Sequence, residues 1–425
     1  MLPARLSFKH EIIGGLTTFL TMSYIIVVNP AILATQGTGM SFSGVMTATV
    51  LLSFSMTLMM GLYAKLPFAV APAMGINAFV TYGLILGEQI PWQVALGMVF
   101  WAGVIFLIIS ATPLRMLMVK TLPKNIKLGS TVGIGLFLSF IGLKNAGLIV
   151  ANPATLVSMG ELRGPPLLAF LGLLIVLPLM ARKNALAFVI GIVVVTLFGM
   201  GLGYTSPPSN FVAAPDFESV FLKLDVMGAL KWSLFPAIMA IVFTDLFDSL
   251  STFVGVARAG KLMDEDGNPI HLKQGLIVDS FATFLAGIFG TSSGTAFIES
   301  AAGIEAGART GFASVVTALC FLPFLFLSPL VSMVPAYATA PVLICVGLMM
   351  FGNVVELEVR KFEEWVPAAL TILLIPLTFS ITKGFLCGIL VHVLLHLLVG
   401  RGKELSPGLI IRGVLLAALM LVVAP

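Results

Sequence analysis

Long apolar stretches alternate with short polar ones along the whole chain. A helix needs about 20 apolar residues to cross a bilayer, and the stretches have roughly this length. They predict an all-α polytopic membrane protein with fourteen spans, followed by a C-terminal apolar segment at residues 403–425. The predicted spans are residues 12–32, 42–62, 68–84, 92–113, 127–143, 165–181, 185–202, 231–256, 274–289, 294–307, 310–330, 336–353, 365–380 and 382–400.

The positive charges in the loops test this count, because Lys and Arg are concentrated in cytoplasmic loops. With a cytoplasmic N-terminus, seventeen of the 23 Lys and Arg residues fall in cytoplasmic loops and five in loops on the other side. One missed span would reverse the side of every later loop and remove this bias. We therefore expect an integral protein of the cell (inner or plasma) membrane with its N-terminus in the cytoplasm.

Composition excludes a water-soluble domain. The 425 residues are 59% hydrophobic and only 10% charged, whereas soluble domains are about 25% charged. The lipid bilayer is therefore the expected surroundings of the chain. No motif for a cofactor or for nucleic acid is present, and we expect neither.

Fourteen spans divide into two halves of seven, and an odd number makes the second half enter the membrane inverted relative to the first. In each half the third span is interrupted by Gly, Pro and small hydroxyl residues, which weaken a helix. Extended backbone at membrane depth must line a cavity or pair with another strand. A matched pair of broken segments therefore indicates a substrate site. The segments are APAMGINAFVTYG, residues 71–83, and GTSSGTAFIESAAGIEAG, residues 290–307.

Carboxylates lie inside the predicted spans, where each costs roughly 3 kcal/mol. Asp245 and Asp248 are three residues apart and so occupy neighbouring positions on one helix face. Glu299 lies in the second broken segment. Acids within the membrane usually bind substrate or carry protons, and we expect this role here. Further polar candidates are Asn77, Asp279 and Glu305.

Structural explanations compete with these roles. Asp248 could cap a broken helix, and Asn77 could satisfy free backbone groups. His392 and His396 have the i, i+4 spacing of metal ligands. No acid or cysteine close to them in the sequence completes a ligand set, so no metal site is expected.

Five motifs follow one another along the chain: TMSYIIVVNPAILA, APAMGINA, DLFDSLSTFVGVARAG, DEDGNP and GTSSGTAFIESAAGIEAGARTG. In this order they resemble the AzgA-like adenine/guanine/hypoxanthine permeases of the nucleobase transporter superfamily, over about residues 8–400. The resemblance implies two inverted seven-span repeats with short strands in broken spans 3 and 10. It also implies a core domain, residues 8–118 and 231–330, and a gate domain, residues 126–205 and 334–402.

The resemblance also implies site residues. Asp245 and Glu299 would hydrogen-bond a purine ring, with Asn77 beside them, and Phe297 and Ala296 complete the expected substrate site. Proton coupling is expected at Glu299, Asp245 and Asp248, and stacking at Phe243, Phe247 or Phe297. The chain departs from the family pattern at Ala73, where glycine is common, at Phe297, where tyrosine is common, and at Leu250 and Ser251.

The expected function is a proton-coupled symporter that imports purine nucleobases by alternating access, as a homodimer formed through the gate domain. An anion exchanger of the related sulfate-permease architecture is the alternative, although no Lys or Arg lies deep in the acid-bearing spans. An intramembrane aspartyl protease is disfavoured, because Asp245 and Asp248 on one helix do not face each other across a peptide bond. A passive facilitator would show uptake that ignores the proton gradient.

Overall fold

The computed structural model describes residues 8–112, 123–264 and 269–402. Residues 113–118 of the predicted core domain, most of the DEDGNP motif and the apolar segment at residues 403–425 lie outside this part of the chain. Within it, the protein consists mainly of helices.

The first half begins with two helices separated at Ser23 and Tyr24, and Pro30 lies inside the second of them. Two helices continue as π-helical turns, α3 at Met60–Ala64 and α4 at Phe79–Ile85. The elements are α1 (Phe8–Met22), α2 (Ile25–Leu33), α3 (Phe42–Met59), β1 (Val70–Pro72), α4 (Met74–Ala78), α5 (Trp92–Ala111), α6 (Lys124–Asn145), β2 (Ile149–Asn152), β3 (Leu156–Met159), α7 (Pro165–Ala181) and α8 (Ala187–Gly201).

The second half begins with the 26-residue helix that carries both aspartates of the predicted site. Short 3₁₀ turns follow α12, at Leu322–Phe326, and α14, at Gly352–Glu356. The elements are α9 (Phe235–Gly260), α10 (Leu272–Phe289), β4 (Gly294–Ala296), α11 (Ser300–Glu305), α12 (Gly311–Phe321), α13 (Ser328–Ser332), α14 (Ala336–Phe351), α15 (Phe362–Thr378) and α16 (Ile381–Leu398).

Eight helices in the described part of the chain are long and apolar enough to cross a membrane. Four shorter apolar helices accompany them, among them Met74–Ile85 and Gly311–Phe326. The chain is therefore an integral membrane protein. The fourteen-span count also assigned spans to short and broken helices, and it stays a prediction, as does the inverted repeat.

The strands predicted in broken spans 3 and 10 are present. β1 and β4 pair antiparallel, with Ala71 opposite Thr295, although they lie in different halves of the chain. A second strand pair, the hairpin β2–β3, was not predicted from the sequence. The Asn152 side chain fixes its turn by accepting from the amides of Ala154 and Thr155.

The helices form two packing groups. In one group α1 and α3 pack on α12, and α5 packs on α10. In the other, α14 packs on α6, α7 and α8, while α15 packs on α6 and α16. The division into a core and a gate domain stays a prediction and is taken up below as a proposal.

The segment between α8 and α9 lies across the end of α3. Asp216 Oδ2 accepts from the hydroxyls of Ser43 at 2.6 Å, Ser219 at 2.6 Å and Ser41 at 3.1 Å. Ser41 is the N-cap residue of α3, and its side chain accepts from Gly44 N. The carboxylate therefore fastens this segment to the N-terminal end of α3.

Candidate functional site

The strand pair β1–β4 has its backbone groups satisfied although it is fully buried. Beyond the ladder itself, Ala73 N donates to Ser293 O at 2.7 Å and Phe297 N donates to Ala69 O at 2.9 Å. Thr57 Oγ1 accepts from Val70 N at 2.9 Å and donates to Val70 O at 3.0 Å. Non-helical backbone at membrane depth is tolerated only under such conditions. The pair, called the strand platform below, is followed in the sequence by two short helices, α4 after β1 and α11 after β4.

A cavity of about 210 Å³ lies beside this platform. It is smaller than the ~300–1,000 Å³ pockets that hold drug-sized ligands, so it suits a small molecule. One wall comes from α4, α9, β4 and the start of α11, and the opposite wall from α6, α14 and the turn after α14. The cavity therefore lies between the two packing groups.

Glu299 lies at the N-terminal end of α11 and lines the cavity half-buried. The Tyr24 hydroxyl donates to Glu299 Oε1 at 2.6 Å. Tyr24 also lines the cavity, and its ring packs edge-on against Phe188 of α8, with centroids 4.8 Å apart. The carboxylate is consequently held at the cavity wall by one short hydrogen bond.

Asp248 is the aspartate of α9 that lines the cavity. Asp245 is not among the residues that line it, and its predicted contact with substrate stays a prediction. Residues three apart on a helix point about 60° apart around its axis, and here that rotation turns Asp245 into the protein and Asp248 toward the cavity.

Asp245 is fully buried among hydroxyl groups. Thr283 Oγ1 donates to its Oδ2 at 2.7 Å and Ser293 Oγ to its Oδ1 at 2.8 Å. A second buried acid, Asp279, accepts from Ser249 Oγ in the same region. Buried charges are usually paired or fully hydrogen-bonded, and these bonds join α9 to α10 and to the segment that leads into β4.

Asn77 also lies away from the cavity lining and is fully buried. Its Nδ2 donates to Asn29 Oδ1 at 2.9 Å. Asn29 Nδ2 in turn contacts Thr49 Oγ1 at 2.7 Å and Thr291 Oγ1 at 2.8 Å. This network ties α4 to α2, α3 and the segment before β4. Asn77 Oδ1 itself is buried without a hydrogen-bond partner among the described residues, and the substrate role of Asn77 stays a prediction.

Ala296 and Phe297, which were predicted for the substrate site, both line the cavity. Of the aromatic candidates for stacking, Phe247 and Phe297 line it, whereas Phe243 packs between Phe247 and Phe385. Phe247 and Phe297 are therefore the aromatic side chains among the predicted candidates that reach the cavity wall.

Sequence reasoning missed several polar residues of this region. Tyr24 and Asn29 lie in the TMSYIIVVNPAILA motif, and the signal that could have found them is a polar group within an otherwise apolar run. On the opposite wall, Ser130, Thr131 and Asn353 line the cavity. They had no sequence signal, because nothing local shows that α6 and α14 face β4.

Discontinuous helices around a cavity with carboxylates in its wall are typical of secondary transporters. The profile of the permease family matches residues 9–387, and the chain belongs to this family. Family membership places it among transporters rather than enzymes, and the predicted resemblance is confirmed.

Two relatives illustrate the match. The chain is 41% identical over 404 residues to the adenine permease AdeP of Escherichia coli (strain K12). The aligned region covers 95% of this chain and 90% of AdeP. It is 39% identical over 418 residues to the guanine/hypoxanthine permease PbuO of Bacillus subtilis (strain 168), with 96% of each chain covered.

Solved structures share the fold at low sequence identity. The transmembrane domain of a cyanobacterium bicarbonate transporter, BicA, superposes with a TM-score of 0.67 at 17% identity, over 90% of this chain and 98% of that chain. The overall structure of SLC26A9 superposes with a TM-score of 0.64 at 13% identity, over 92% of this chain and 65% of that chain. These matches concern the fold alone.

Proposed function

We propose that the chain is a proton-coupled symporter that imports purine nucleobases by alternating access. The observation that carries this proposal is a small cavity with two carboxylates, Glu299 and Asp248, in its wall. None of the described residues that line it is Lys or Arg. Carboxylates accept hydrogen bonds and a purine edge offers N–H donors, so the charge pattern suits such a ligand.

The relatives narrow the substrate class. Adenine permeases and guanine/hypoxanthine permeases match almost the whole chain at 35–41% identity, and adenine, guanine and hypoxanthine are the proposed substrates. Glu299 would accept a hydrogen bond from the edge of the purine ring while the Tyr24 hydroxyl donates to the same carboxylate. Phe297 or Phe247 would cover a ring face. Ala296 would let the ring approach β4. Asp245 and Asn77 would act indirectly, by fixing the strand platform.

For proton coupling we propose Glu299 and Asp248, because both face the cavity that a substrate would occupy. Protonation of a carboxylate removes its charge and allows it to cross the low-dielectric barrier with the substrate. Asp245, the third predicted acid, would contribute through the hydroxyl network around it, since Ser293 connects it to the segment before β4.

Alternating access would follow from a movement of the core domain, residues 8–118 and 231–330, against the gate domain, residues 126–205 and 334–402. The cavity between the two packing groups supports this division. The fourteen-span inverted repeat, the cytoplasmic N-terminus in the cell membrane and a homodimer through the gate domain belong to the same proposal.

The test is uptake of radiolabelled adenine and hypoxanthine into proteoliposomes, with and without an inward proton gradient. Gradient-driven accumulation is expected for the wild type and its loss for Glu299→Gln. Glu305→Gln is the matched control, because Glu305 lies on the same short helix but is exposed, 3.7 Å from Lys183.

Other outcomes would change the assignment. Full accumulation by Glu299→Gln would remove Glu299 from the coupling role. Uptake that ignores the gradient would indicate a passive facilitator. Complete absence of purine uptake by the wild type would favour the anion-exchanger alternative, and exchange of bicarbonate and sulfate would then be measured.

A further inference from the structure

Two histidines and a glutamate lie close together near the C-terminal end of the described residues, and none of them lines the cavity. His392 and His396 lie one turn apart on α16, and Glu364 lies in the first turn of α15. Helices α15 and α16 pack against each other and are joined by a short turn at Phe379 and Ser380. The start of α15 therefore lies beside the end of α16.

This arrangement supplies the acid that the sequence did not show. One ligand atom from each of Glu364, His392 and His396 lies within 4.8 Å of the other two. The two imidazole rings have centroids 4.2 Å apart. No metal site was expected because no acid lies close to the two histidines in the sequence. Packing of α15 on α16 brings Glu364 beside them, so that reason does not hold.

The separation of two of these atoms fits one edge of a zinc coordination tetrahedron. His396 Nε2 lies 3.4 Å from Glu364 Oε1. Zn–N and Zn–O bonds of ~2.0–2.2 Å at tetrahedral angles place neighbouring ligand atoms about 3.4 Å apart. A direct hydrogen bond between these atoms would be shorter, near ~2.8 Å.

The ring nitrogens are oriented as in a metal site. His396 Nδ1 lies 2.9 Å from the backbone oxygen of His392, and a carbonyl only accepts, so Nδ1 carries a proton and Nε2 is the nitrogen that a metal ion would use, displacing any proton there. Metal-binding histidines usually donate their second N–H to such an acceptor. His392 is 3% exposed, and its Nδ1 is buried without a hydrogen-bond partner in the described part of the chain.

Exposure differs between the members of the cluster, and the neighbouring acid, Glu363, pairs with Arg401. The side chain of Glu364 is 31% exposed while that of His396 is 2% exposed. An ion can thus reach the buried nitrogens from solvent along the glutamate.

We propose that Glu364, His392 and His396 form a binding site for one divalent transition-metal ion of the zinc type. Two imidazoles and one carboxylate suit Zn²⁺ and its neighbours, whereas Mg²⁺ and Ca²⁺ prefer oxygen ligands throughout. The three side chains leave a fourth position for water. A bound ion would join the end of α16 to the start of α15, within the proposed gate domain and outside the cavity lining.

The test is titration of the purified protein with Zn²⁺ against a chromophoric chelator, after removal of any polyhistidine tag. One ion per chain is expected. Glu364→Gln and His396→Ala should each weaken binding at least about tenfold, since even the outer partners of metal ligands are typically worth 10–100-fold. His271→Ala, at an exposed histidine before α10, is the matched control and should bind like the wild type.

Co²⁺ supplies a second readout, because its visible absorption reports four-coordinate geometry with nitrogen ligands. Glu364→Gln keeps the shape of a partly exposed side chain, so this variant tests the site even if His396→Ala fails to fold. Absence of a single tight Zn²⁺ ion in the wild type would overturn the proposal. Equal affinity of wild type and Glu364→Gln would also overturn it and leave an ordinary His396–Glu364 ion pair.

Discussion

The hydroxyl of Tyr24 donates a 2.6 Å hydrogen bond to Glu299, although the two residues are 275 positions apart in the chain. Tyr24 lies at the junction of α1 and α2, and Glu299 at the junction of β4 and α11. The bond connects the first broken helix of the chain with the second strand of the platform.

Removal of this hydroxyl should weaken purine binding. Tyr24→Phe keeps the ring and its packing on Phe188, but Glu299 loses a hydrogen bond of the kind worth about 1.5–3 kcal/mol when one partner is charged. The KM for adenine or hypoxanthine uptake should rise on the order of tenfold. Tyr82→Phe is the control, because Tyr82 is a buried tyrosine whose hydroxyl contacts Asn145 at 3.2 Å outside the cavity lining. Equal effects of both variants would contradict a specific role of Tyr24.

The two aspartates of α9 should give different defects. Asp248→Asn removes a carboxylate from the cavity wall, and we expect lower substrate affinity with an unchanged unfolding temperature. Asp245→Asn places an amide NH₂ opposite hydroxyls that now donate to a carboxylate, which costs about 1–3 kcal/mol for an unsatisfied buried group. Its defect should fall mainly on stability. Purine binding and thermal unfolding of both purified variants separate the cases, and the reverse assignment of defects would refute the geometry described for α9.

A close backbone contact should make Gly311 intolerant of a side chain. A Cβ at Gly311 would lie 2.0 Å from the backbone oxygen of Gly61, where α12 crosses the π-turn after α3. We expect Gly311→Ala to lower stability by about 1–3 kcal/mol, as overpacking typically does. Gly255→Ala is the matched control, because a Cβ there has no neighbour within 4 Å. Thermal unfolding in one detergent compares them, and an unchanged Gly311→Ala would mean that the helices separate freely.

The contacts of Asp216 predict a loss of stability in acid. Partial burial raises the pKa of Asp216, but hydrogen bonds from Ser219, Ser43 and Ser41 outweigh it and lower the pKa to about 2. A lowered pKa means that the stabilisation is present at neutral pH and is lost as pH falls from about 4 through about 2. Because the carboxylate is partly exposed, the contribution is about 1 kcal/mol.

Asp216→Asn should therefore lower the unfolding temperature at pH 7 and have little effect near pH 2. Glu218→Gln is the control, since Glu218 is an exposed acid two residues away. An Asp216→Asn difference that stays constant over this pH range would show that the segment is fastened by something other than the ionised carboxylate.

The sequence predicted the platform because its signals are local. Pro72, Gly294 and the surrounding small residues weaken helices wherever they stand, and backbone without a helix at membrane depth must find a partner. These residues predicted extended backbone in both broken segments, and the family resemblance implied a short strand in each. The pairing of β1 with β4 confirms the two strands.

Side-chain direction could not be predicted in the same way. The spacing of Asp245 and Asp248 fixes their angle to each other, but only packing of α9 on α10 fixes which one faces the cavity. The role of Asn77 depends on Asn29 and Thr291, which lie on other elements. Glu364 escaped notice for the same reason, because it reaches His396 from a different helix.

The pairing of Val70 with Ala296 has a consequence for biosynthesis. When the ribosome has made β1, its partner strand is still more than 200 residues away, and closing so long a loop is slow. The amides of β1 meanwhile lack their final acceptors in an environment without water. We expect the first half of the chain to remain open to proteases and chaperones during insertion until β4 is in place. Co-expressed halves, cut in the segment between α8 and α9, should each be unstable alone and become protease-resistant together.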